Sequence, residues 1–63
     1  MKPKLFNALV DECKAAMEVS MPEGQAAINA TARMIEGLAN VLHHHDKSFN
    51  RKDFLEKSLF PID

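Results

Sequence analysis

Pro22–His45, PEGQAAINATARMIEGLANVLHHH, is the longest stretch of the chain that keeps a single period. Within it Ile28, Thr31, Ile35, Leu38 and Leu42 follow one another at steps of three or four residues. At about 100° per residue these five fall on one side of an α-helix, and Ala27, Met34 and Val41 widen the stripe. Gln25, Asn29, Arg33, Glu36 and Asn40 take the opposite side. A helix built this way must lay its apolar side on something, and most of the remaining chain is of the kind it can lie on. The pattern predicts a helix over 22–44 whose core residues include Leu38. On that assignment Leu38→Asp buries an unpaired carboxylate and unfolds the domain.

The start of this helix is marked twice. Ser20 and Glu23 stand at capping-box spacing, and Pro22 lies in what would be the first turn. In such a box the serine oxygen accepts from the Glu23 amide while the Glu23 carboxylate reaches back, close to the positive end of the helix dipole. Upstream, Pro3 opens a second amphipathic segment over 4–19. There Leu5, Phe6, Leu9, Val10, Cys13, Ala16 and Met17 share an arc of about 140°, with Asn7, Asp11, Lys14 and Glu18 opposite. So short a connection predicts that the two helices form an antiparallel hairpin. Downstream, a third helix is expected over 50–60. Asn50 caps it, Asp53 follows three residues later, and Phe49 can staple to Phe54. Phe54, Leu55, Ser58 and Leu59 share its face, Pro61 stops it, and Ile62 is expected to fold back.

With 63 residues the chain makes one domain, 1–63, near the lower size limit for folding alone. A core this small is commonly reinforced by disulfides, metal or association. The single cysteine, Cys13, excludes an internal bridge, so association is the expected remedy. No Trp, no Tyr, two Gly and plentiful Ala, Leu, Met, Glu and Lys favour helices over strands. The fold class expected is therefore all-α: a helical hairpin plus a short third helix, assembled as an oligomeric bundle. No stretch reaches the roughly 20 apolar residues of a membrane span. Asp11, Glu12 and Lys14 interrupt the amino-terminal apolar run, so a signal peptide is not expected and a cytoplasmic location is. A net charge of −1 gives no general attraction to nucleic acid or anionic lipid.

Residues with chemical potential are few. His43–His45 point about 100° apart on a regular helix and cannot converge on one metal; at a helix C-terminus they complement the dipole. No cofactor or metal is expected. Cys13 lies within an apolar arc, as an inert buried thiol does. The nine carboxylates fall mostly on polar sides and form no acid–base pair, so catalysis is not expected. Lys47, Arg51, Lys52 and Lys57 are the only cationic concentration and are candidates for phosphate contact. Ala26, Ala30 and Gly37 line the long helix with small side chains. Gly37 costs about 1 kcal/mol against alanine, which either an exposed turn tolerates or close approach of another helix justifies. Phe6, Met17, Met34, Leu38, Phe49, Phe54 and Phe60 exceed what three short helices can cover, and they are the candidate interaction surface.

The carboxyl-terminal third, LANVLHHHDKSFNRKDFLEKSLF, resembles the endings of many small bacteriophage and prophage accessory proteins. Those show a helix, a polar turn, then Phe-Asn/Asp-Arg-x-x-Phe-Leu, matched by Phe49, Asn50, Arg51, Phe54 and Leu55. Glu56-Lys57-Ser58 stands where the commonest form has Ala-Cys-Gly, and no functional residue carries across. The resemblance implies a phage accessory protein of the kind that binds and blocks host machinery, antiviral nucleases included. The expected function is a non-catalytic, self-associating interaction module acting by steric inhibition of a host protein, in the anti-defence or anti-CRISPR manner. The alternative is nucleic-acid binding through the four cations; a third version is a metal or small-ligand site at the histidines.

Overall fold

The computed structural model describes residues 1–59, all of whose regular elements are helical. Helix α1 runs Pro3–Ser20, a 3₁₀ turn covers Met21–Glu23, α2 runs Gln25–His45 and α3 runs Arg51–Leu59. Pro3 sits in the first turn of α1, where its missing N–H costs nothing. Two contacts fix α1 and α2 as antiparallel. At one end Ser20 hydrogen-bonds Thr31; at the other the Met1 ammonium lies 2.6 Å from Asp46 Oδ2.

The turn between them differs from the expected capping box. Ser20 remains inside α1, and its hydroxyl donates to the Ala16 carbonyl at 2.9 Å. That leaves Thr31 to donate to Ser20 Oγ, so the serine ties the two helices together instead of capping α2. Pro22 tightens the chain into the 3₁₀ turn, and Gly24 at φ +110° and ψ 174° becomes the N-cap of α2. Only glycine takes that backbone without strain. The long helix therefore starts at Gln25, three residues later than the sequence suggests.

Helix α3 begins as expected. Asn50 Oδ1 accepts from the Asp53 amide at 3.0 Å, and the Phe49 and Phe54 rings stand 5.2 Å apart as a staple. Arg51 Nε donates to Asn40 Oδ1 at 2.7 Å and His43 Nδ1 donates to the Phe49 carbonyl at 3.2 Å, pinning the entry to α3 against α2. Between α2 and α3, Asp46 Oδ1 accepts from the Ser48 amide and hydroxyl. Its carboxyl is held down at about 2, chiefly by the Met1 ammonium and then by Ser48.

The core gathers Val10, Cys13 and Met17 of α1, Ile35 and Ala39 of α2, and Phe49 and Phe54. Phe6 packs edge-on to Phe54 and tilted against Phe49, both with ring centroids at 5.8 Å. Phe54 is fully buried, worth about 3 kcal/mol of apolar transfer. Ser58 is also fully buried, and its hydroxyl, beside the Cys13 thiol, has no hydrogen-bond partner among the described residues. Burial pushes the thiol's pKa up, the serine lowers it less, and Glu12 adds a small rise. At nine residues α3 is half the length of α1, and among the described residues it covers the hairpin from the start of α1 to about Cys13.

The rotation of α2 departs from the sequence expectation. Ala39 is fully buried while Leu38 is 37% exposed, Met34 76% and Val41 55%. The core-facing stripe is Ile28, Ala32, Ile35, Ala39 and Leu42, turned toward α3 by Ala39, whose small side chain admits the phenylalanine cluster. Leu38 is a surface residue, so the outright unfolding expected of Leu38→Asp does not follow. Phe60, Pro61 and Ile62 lie outside the described residues.

Candidate functional site

Each long helix carries two apolar seams offset by a single residue. On α1 the inward seam is Phe6, Val10, Cys13, Met17 and Ser20, at alternating steps of four and three. One residue earlier, at the same steps, run Leu5, Leu9, Glu12, Ala16 and Val19. On α2 the inward seam Ile28, Ala32, Ile35, Ala39, Leu42 is likewise preceded by Ala27, Thr31, Met34, Leu38 and Val41. Alternating four and three is the 3.5-residue period by which one helix receives another. A one-residue offset turns the second seam about 100° from the first. In an antiparallel pair the two second seams turn in opposite senses, and here they converge.

They meet in an open groove of about 610 Å³ lined entirely by α1 and α2. Buried Cys13, Ser20 and Ile35 form its floor; Leu9, Glu12, Ala16 and Val19 stand on one wall, Thr31, Met34 and Leu38 on the other. Val19 is 70% exposed, and nothing among the described residues covers this side. The surroundings are apolar apart from the Glu12 carboxylate and the Ser20–Thr31 hydroxyl pair, which satisfy one another. Glu12 makes no ion pair or hydrogen bond among the described residues. A second, smaller cleft of about 240 Å³ lies beside Met1, Phe6 and Phe49.

Of the residues expected at an interaction surface, Met34 and Leu38 are brought together on one groove wall. Met17, Phe49 and Phe54 are not surface residues: all three are buried in the core where α3, carrying Phe54, packs on the hairpin. Phe6 is half-buried against the same cluster, and Phe60 lies outside the described residues. Ala26, Ala30 and Gly37 are exposed, and a Cβ added at Gly37 would meet nothing within 4 Å, so no helix among the described residues approaches them closely. Sequence inspection missed Leu9, Ala16 and Val19 as the residues that line the groove with Met34. The offset repetition of both seams was the signal.

The cations are partly engaged. Arg51 is bonded to Asn40, and Lys57 pairs with Asp53 at 3.1 Å with its Nζ 5.7 Å from the centre of the Phe6 ring. Lys47 and Lys52 are exposed. His43 holds the Phe49 carbonyl while His44 and His45 stack edge-on, and no three His, Cys, Asp or Glu side chains among the described residues are placed to share a metal ion. Among the described residues no helix is long and apolar enough to cross a membrane. The residues behind the phage-protein resemblance act here as cap, staple and core of α3. Comparison with protein-family models, curated proteins and solved structures finds no match for this chain.

Proposed function

We propose that the chain is a non-catalytic protein–protein interaction module that receives an amphipathic helical partner in the α1–α2 groove. The supporting observation is the pair of uncovered seams at the helix-receiving period, converging on a continuous apolar face. Leu9, Val19, Met34 and Leu38 supply the buried contact, with Met34 the adaptable anchor. Glu12 selects among partners by its single unpaired charge. In the setting implied by the carboxyl-terminal resemblance, the module blocks the working surface of a host protein sterically.

The test is a photocrosslinking amino acid at Met34, compared with the same group at Glu36 on the far side of α2. A specific protein adduct formed in the cells of origin from Met34 alone is expected. Equal labelling from both positions, or none from Met34, would refute an interaction role for the groove.

A further inference from the structure

We infer that the groove is filled by a second copy of this chain, two hairpins pairing face to face as a four-helix bundle with α3 flanking each outer side. The inference rests on the groove being an interaction surface and specifies its occupant. The face offers two antiparallel seams of matched period, the arrangement one hairpin presents to another. A two-fold pairing is isologous, so one patch must complement itself. Bulky Met34 and Leu38 on α2 stand across the groove from small Ala16 on α1, giving both the ridge and the hollow.

The area agrees with this assignment. The α1 seam from Leu5 to Val19 is about 21 Å long at 1.5 Å per residue, and two helices side by side are about 20 Å wide. The face thus measures on the order of 400 Å² in projection per copy, and accessible area exceeds projection, so the pair buries on the order of 1,000 Å² in total. That reaches the lower edge of specific interfaces and gives a reversible dimer of modest affinity.

Glu12 fixes the sign of the decisive experiment. It is the middle residue of the α1 seam, so a two-fold pairing buries the same carboxylate twice. Desolvation and like charge then hold the dimer below its apolar potential. Replacing it should tighten self-association, whereas a cationic foreign partner would be lost.

Sedimentation equilibrium and native mass spectrometry of the full chain test this from low micromolar to millimolar concentration. Wild type is expected to pass reversibly from monomer to dimer. Glu12→Leu should lower the dimer dissociation constant tenfold or more. Met34→Glu with Leu38→Glu should stay monomeric with unchanged helical circular dichroism; Met34→Glu alone serves if the double variant fails to fold. Wild type and Glu12→Leu both monomeric at millimolar concentration would overturn the dimer. So would a dimer that survives Met34→Glu in a folded protein, or a trimer. A monomer that still yields a Met34 adduct with another protein refutes self-pairing and leaves the groove as an interaction site; a monomer without adducts refutes both.

Discussion

The two sides of the α1–α2 hairpin have the same periodicity and opposite fates. On one side, Phe6, Phe49 and Phe54 interlock and α3 removes Val10, Cys13, Ile35 and Ala39 from water. On the other, one residue earlier along each helix, Leu9, Val19, Met34 and Leu38 line a groove that the described residues leave open. The closed side is filled by aromatic rings, a small alanine and the buried Met17. The open side exposes Met34 and a lone carboxylate, which tolerate a changing neighbour. Periodicity alone therefore does not identify a core; the layer that comes to rest on it does.

The contrast breaks most clearly at Phe54. Phe54→Ala empties the centre of the closed side and should cost about 3–5 kcal/mol, as much as a small single core supplies, so circular dichroism should show an unfolded chain. A cooperative melt close to wild type would show that α3 contributes little. Next come the two glycines. Gly24→Ala places a side chain at φ +110° and should cost about 1–2 kcal/mol in urea titration, because it strains the turn that aligns both sides. Gly37→Ala should stabilise by about 1 kcal/mol, since it adds helix propensity in open space. A loss there would mean that something approaches α2 closely.

Leu38→Asp tests the open side directly. At low micromolar concentration it should shift stability by no more than about 0.5 kcal/mol, as surface changes do. Unfolding would return Leu38 to the core. The smallest effect is expected at Asp46, which is partly exposed. Its folded-state value, about 2, lies below the ordinary 3.8. Its stabilisation is therefore complete above the unfolded value and vanishes as pH falls through about 2. Melting temperatures of Asp46→Asn should lose that part of the acid slope, and an unchanged slope would show that the ammonium–carboxylate clasp contributes nothing.

What was legible in the sequence was local. Asn50 beside Asp53, Phe49 beside Phe54 and Pro3 at a first turn each act within one or two helical turns, and each does so in the structure. The antiparallel hairpin followed from the short connection. The rotation of α2 was not legible, because apolar and small residues run from Ala30 and Gly37 round to Ala32, more than half its circumference. Which part meets α3 depends on Ala39 fitting against the phenylalanine cluster, a contact between distant segments. The capping box failed for a similar reason: Ser20 had a tertiary partner, Thr31, that spacing along the chain could not reveal. The groove was half legible, since Met34 and Leu38 stood out but their counterparts on α1 merged with the inward seam.

Among the described residues, the nine of α3 brace the hairpin at one end and leave the other to its own turn. Backbone opening should then be graded along the molecule, with a deuterium clock running fast around Met21–Ala27 and slowly near Val10 and Ala39. An occupant of the groove would slow the fast end most.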